Sequence, residues 1–181
     1  MKLQTNVLIT AITFFSLTLG TAAAGDFQTE GLVGFSNVQN ALSFGGDSAP
    51  YLAIGTSPQI GFHLHSGSVL PLPETILPTD TGIEFECVQG PHEREGRNIH
   101  VIHTKRGKIY CTWHAVFTLD FINDQGDAVL SGDGIFTVVG GTRHYRGASG
   151  SFRTLFETEV VKAGSDTAIA EFTQEGELKR K

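Results

Sequence analysis

Apolar and polar residues alternate along most of this chain with a period of two, the repeat of a half-buried β-strand. The clearest run is Lys108 to Ile122. Ile109, Cys111, Trp113, Ala115, Phe117, Leu119 and Phe121 fall on one face, with Tyr110, Thr112, His114, Thr118 and Asp120 on the other. One face is dry and the other wetter, as in an antiparallel sheet with one packed side. In Gly82 to Val88 the same alternation groups Ile83, Phe85 and Cys87 against Glu84 and Glu86. Further strand signals, rich in β-branched and aromatic residues, cover Phe27 to Ser36, Gln59 to His65, Asn98 to Thr104, Ala128 to Val139, Ser151 to Lys162 and Thr167 to Leu178. Helical periodicity is nearly absent. Short polar or glycine-containing turns at Lys105 to Gly107, Asn123 to Gly126 and Ala163 to Asp166 join neighbouring runs as hairpins. The pattern predicts an antiparallel meander of about eight strands, the number that closes into a small barrel. Asn37 to Pro58 and the proline-marked Ser66 to Asp80 read as long loops over one mouth.

The glycine-dense stretch GGTRHYRGASG, Gly140 to Gly150, leaves the strand-like IFTVV at Ile135 to Val139. It predicts a tight turn whose single aromatic, Tyr145, covers an opening. With its setting, Gly132 to Phe152, it resembles the allene oxide cyclase and dirigent barrels, in which a strand ends in a GGTG-like turn followed by an aromatic, a small-residue step and the next strand. Gly140, Gly141, Thr142, Tyr145, Gly147, Ala148 and Gly150 match, while Arg143 stands where the family usually has a third glycine. The match covers the C-terminal half and is weaker before Lys108. The resemblance implies an all-β fold, a single closed antiparallel eight-stranded barrel of the calycin or allene oxide cyclase kind, with an apolar interior for a hydrophobic small molecule. In the plant relatives that interior steers cyclisation of an unsaturated epoxide or coupling of phenoxy radicals. No catalytic residue of the family maps onto a position of this chain.

Lys2, the apolar run Val7 to Leu19 and Ala22 to Ala24 read as a secretion signal over 1–24, too short to cross a bilayer, with an uncleaved anchor as the alternative. The remaining 157 residues, 25–181, form one barrel domain with 12 basic against 19 acidic residues, a net −7. The expected destination is secreted or periplasmic. That charge argues against nucleic acid and against anionic membrane surfaces as partners after signal cleavage. Self-association is left open. In an oxidising compartment Cys87 and Cys111 are expected to form a disulfide, the alternative being two separately buried thiols.

Chemistry is harder to read. His63 and His65 share one side of a strand, as some metal sites require, but Ile60, Phe62 and Leu64 are expected to face inward and leave the histidines on the surface. His100 and His103 fall on opposite faces. No metal or cofactor is expected. Ser66 and Ser68 flank Gly67 without a GxSxG motif, and no serine is paired with a histidine and an acid at interpretable spacing. The interior is expected to hold Phe85, Trp113, Phe117, Phe121 and Phe136, either as a filled core or as the wall of a ligand cavity. Tyr110 and His114 become polar steering groups if inside and outside are exchanged. Three functions follow: an exported binder of a small hydrophobic ligand, a cofactor-free isomerase or cyclase, and a protein-interaction module using loops 37–80. An open apolar cavity favours the first, a buried polar pair the second, a sealed core the third.

Overall fold

The computed structural model describes residues 26–180, and the secretion signal expected over 1–24 lies outside them. In chain order the elements are β1 (Asp26–Ser36), α1 (Val38–Ala41), β2 (Ala49–Thr56), β3 (His63–Pro71), β4 (Leu77–Pro78), β5 (Gly82–Gln89), β6 (Pro91–His92), β7 (Arg97–Asn98), β8 (His100–Thr104), β9 (Gly107–Phe121), β10 (Ala128–Gly141), β11 (Ser149–Thr158) and β12 (Thr167–Lys179). All pairings are antiparallel. β1 pairs with β2 and, along its whole length, with β12, from Asp26 opposite Glu177 to Ser36 opposite Thr167. That ladder joins the first strand to the last and closes the barrel. Closure removes the unpaired edges that an open sheet would present.

The wall has eight strand positions, one of them shared. β5 lies against the C-terminal half of β9, Gly82 opposite Asp120 to Val88 opposite His114. β8 continues in the same direction against its N-terminal half, from His100 opposite Cys111. Residues 90–99 interrupt this single position, and the β6–β7 hairpin within them projects from the wall. The sequence pattern counts β5 and β8 as two strands and assigns β2 to a loop, so two differences cancel in the total of eight. β2 escapes detection because Ala49, Pro50, Ala53 and Gly55 weaken every strand signal. β2 and the second part of β3 come from the segments 37–58 and 66–80 expected as loops, while 37–48 covers one mouth.

Inward positions make a continuous core, and aromatic rings seal one end. Phe27 packs on Phe152 at 4.8 Å between ring centres, and Tyr145 is fully buried. The turn that carries Tyr145 is the glycine-dense stretch: Gly140 has φ 140°, and Arg143, at the expected third glycine, is held at φ 52° in the left-handed region. At the other end Val38 and Ala41 of α1 cover the barrel, and Phe44 meets Phe85 edge to face at 5.1 Å.

The expected disulfide is absent: Cys87 and Cys111 are both free and buried. Cys87 stands opposite Ala115, and Cys111 lies four residues further along the same strand, roughly 13 Å away at the rise of a β-strand. A disulfide needs Cα atoms within about 7 Å. Burial pushes both thiols far up from their ordinary range, which keeps them protonated and inert. A reductant is therefore expected to leave the melting temperature of the purified protein unchanged. A bridge closing that loop would contribute about 3 kcal/mol, a fall of some 6–12 °C on reduction in a domain of this size.

Candidate functional site

β3 is in the opposite phase to the one its apolar residues suggest. His63 and His65 are 1% and 2% exposed inside the barrel, while Phe62 and Leu64 are 56% and 46% exposed outside. Opposite them on β2 stand Gly55 and Ala53, which leave room for imidazole rings. A Cβ on Gly55 would come within 2.7 Å of the His63 ring. On β8 His100 also points inward and is 1% exposed, so three imidazoles meet within the wall. The expectation that these histidines are solvated surface is thus corrected: neighbours across the ladder, rather than the strand's own composition, set its phase.

Donor and acceptor chemistry gives this cluster a direction. Trp113 Nε1 can only donate, and it reaches Tyr51 Oη at 3.1 Å. The Tyr51 hydroxyl proton has two acceptors in reach, Gln89 Oε1 at 3.5 Å and His100 Nδ1 at 2.6 Å, and the much shorter contact assigns it to His100. His100 consequently carries its hydrogen on Nε2 and donates to His65 Nδ1 at 3.0 Å. His65 in turn carries its hydrogen on Nε2, which is buried without a partner. The chain Trp113, Tyr51, His100, His65 therefore ends on an unused N–H. Burial holds His65 well below the ordinary histidine range and His100 at about 3, so both rings are neutral, as this pattern requires. The same desolvation pushes the Tyr51 phenol far up, leaving it protonated.

A cavity of about 60 Å³ lies at the end of the chain. Its wall is aromatic, with Phe35, Trp113, Phe117, Phe136 and Phe172, and its polar residues are Tyr51, His65, His100, Thr154 and Gln174. Gln174 donates from Nε2 to Thr154 Oγ1 at 3.0 Å, and its Oε1 is buried without a partner. The two residues that carry an unused donor and an unused acceptor thus line the same space. Of the residues expected inside, Trp113, Phe117 and Phe136 line this cavity, Phe85 lines a neighbouring space of about 20 Å³ beneath α1, and Phe121, at the end of β9 where the wall stops, is instead exposed. Tyr110 and His114 stand on the outer face, Tyr110 beneath the Arg97 guanidinium at 5.0 Å. The polar groups of the interior come instead from Tyr51, His65, His100 and Gln174. Their only trace in the sequence is an inward polar residue at a period-two position.

A second cluster lies outside, on the same stretch of wall. A cleft of about 710 Å³ runs between the outer faces of β2 and β3 and the β6–β7 hairpin, bordered by Leu52, Leu64, Ser66, His92, Arg94 and His103. Ser66 Oγ lies 2.9 Å from His92 Nε2 and 3.1 Å from His103 Nε2. Tyr51 and His65 border both the cleft and the interior cavity, since Gly67, opposite Tyr51, puts no side chain between them. A Cβ on Gly67 would come within 2.5 Å of the Tyr51 hydroxyl. Among the described residues, no three His, Cys, Asp or Glu side chains are grouped to hold a metal ion. Comparison of the chain with protein-family models, with curated proteins and with solved structures finds no match in any of the three.

Proposed function

We propose that the barrel binds a small, largely apolar molecule through one hydroxyl group in its interior. The observation that carries this reading is the pairing of the unused His65 Nε2–H with the unused Gln174 Oε1 around one aromatic-walled cavity. A hydroxyl accepts from the first and donates to the second. Leaving such groups unpaired in a dry interior costs about 1–3 kcal/mol each, so a ligand that satisfies both gains that energy along with apolar burial. The cavity is smaller than the ~150 Å³ that holds benzene, so a ring-sized ligand requires its wall to widen toward the neighbouring space beneath the 37–48 cap. That cap is tied to the barrel by the backbone bond from Val38 N to Asp166 O at 3.2 Å and by the packing of Phe44 on Phe85. Kinship with allene oxide cyclase and dirigent barrels, proposed from the Gly140 to Gly150 turn and the closed barrel, agrees with an interior ligand, and the N-terminal signal-like segment supports an exported protein.

Trp113 is the sole tryptophan and borders the cavity, so its fluorescence reports occupancy. Phenol is expected to change it saturably, and Gln174→Leu to weaken binding about tenfold, the effect of losing one hydrogen bond of about 1.4 kcal/mol. The reading fails if phenol leaves Trp113 unaffected and native mass spectrometry of protein from its producing cells shows only the bare polypeptide. A second reading, a cofactor-free isomerase, is supported by the directed chain from Tyr51 to His65, which can pass a proton to a bound carbonyl compound. Deuterium exchange into a bound ketone, catalysed by the wild type and lost in His65→Gln, distinguishes it from simple binding.

A further inference from the structure

The outer cleft holds a serine in a setting that the interior reading does not use. His92 accepts at Nδ1 from the backbone N–H groups of Arg94 (3.2 Å) and Glu95 (3.3 Å), so its hydrogen sits on Nε2 and is donated to Ser66 Oγ. The one proton of Ser66 is left for His103 Nε2 at 3.1 Å. His103 is thereby the acceptor, the role of a general base, and His92 is a fixed donor beside the same oxygen. Partial burial with Lys108 nearby keeps His103 below the ordinary histidine range and hence neutral. The arrangement depends on the excursion from the wall: residues 90–99 break an otherwise continuous strand, and their hairpin sets His92, 7% exposed, against β3. A cleft of this volume is of the size that small-molecule sites use, and Leu52, 71% exposed, and Leu64 give it an apolar side.

We propose that Ser66 is a nucleophile activated by His103 in this cleft, and that it accepts the acyl group of small apolar esters. In the forward step Ser66 Oγ bonds to the carbonyl carbon, its proton passes to His103 Nε2, and the carbonyl electron pair moves to oxygen beside the His92 Nε2–H. Collapse breaks the ester C–O bond, and the alkoxide leaves with the proton from His103. Water, deprotonated by the same ring, then attacks the acyl carbon, the Oγ–C bond breaks, and His103 returns the proton to Ser66 Oγ as the carboxylic acid leaves. The alternative is a clasp, in which the hydroxyl merely pins the hairpin to the barrel.

A fluorophosphonate probe separates the two, because its transfer forms an Oγ–P bond, releases fluoride and needs the same base. Full-length protein treated with the probe is expected to gain one label, mapped by peptide mass spectrometry to Ser66. His103→Gln, on the half-exposed outer wall, is expected to slow labelling at least 100-fold, in the range of lost general-base catalysis, with an unchanged circular dichroism spectrum. His103→Asn serves as the second variant if glutamine perturbs the fold. Wild-type protein that stays unlabelled, label on another residue, or a His103 variant that reacts within twofold of the wild type each overturns the proposal. The test is independent of the interior cavity, since phenol binding read by Trp113 can succeed or fail whatever Ser66 does.

Discussion

Lowering the pH from 7 to 4 is expected to remove a large part of the stability of this barrel, most of it before the carboxylates titrate. His65 and His100 are completely buried and His63 is largely so, and desolvation is the first cause that lowers all three, followed for His65 and His100 by repulsion from neighbouring histidines. The sign is set by the state that binds more protons. In the unfolded chain these rings titrate near 6.5, whereas in the folded barrel they resist protonation. Stability is therefore fully present above about pH 6.5 and falls through the window between that value and the folded one, about 3 for His100. At about 1.4 kcal/mol per pH unit His100 alone gives up about 3 kcal/mol by pH 4, a large share of the stability of many domains. Asp127, held at about 2 by Lys162, the Ala163 N–H and Asn123, begins to lose its contribution only near pH 4, below most of the histidine window. Urea midpoints measured between pH 8 and pH 4 are expected to fall steeply below pH 6.5, with more than one proton taken up on unfolding. A flat profile down to pH 4.5 would mean that the three rings are not buried together.

Tyr51→Phe is expected to destabilise the protein by about 2–4 kcal/mol, because removing one oxygen strands two partners. The Trp113 Nε1–H loses its acceptor, and His100 Nδ1 loses its donor, both inside the wall. Unsatisfied buried groups cost about 1–3 kcal/mol each, and in a domain of this size the total corresponds to a fall in melting temperature of roughly 5–15 °C. Tyr110→Phe is the matching control. That ring stands on the outer face under Arg97, keeps its aromatic contact when the hydroxyl is lost, and should change stability by no more than about 0.5 kcal/mol. Equal effects of the two substitutions would show that the hydrogen-bonded chain contributes nothing to stability. A loss of phenol binding in Tyr51→Phe beyond the loss of stability would tie the chain to the interior site.

Strands whose alternation is strong and self-consistent were legible in the amino-acid order. In β9 seven apolar residues recur at period two, and no competing phase exists. β3 shows the opposite case: Phe62 and Leu64 are more apolar than His63 and His65, yet the histidines go inside. The energy of that choice comes from outside the strand, from the Tyr51 and His100 partners and from the small residues Ala53 and Gly55 across the ladder. Ser66, His92 and His103 lie 26 and 37 residues apart, in a strand, a hairpin and another strand, so no spacing rule joins them.

The chain's own order of residues determined the β class, the hairpin turns, the tight Gly140 to Gly150 corner and the aromatic character of the interior, because each depends on local backbone freedom or on a two-residue repeat. Closure alone decided which face of β3 is dry, that Cys87 and Cys111 stay apart, and that a hydroxyl in β2 and imidazoles in β3 and β8 form one directed chain. Those outcomes depend on the register between strands far apart in sequence, which pairs residues by position along the ladder whatever their distance along the chain.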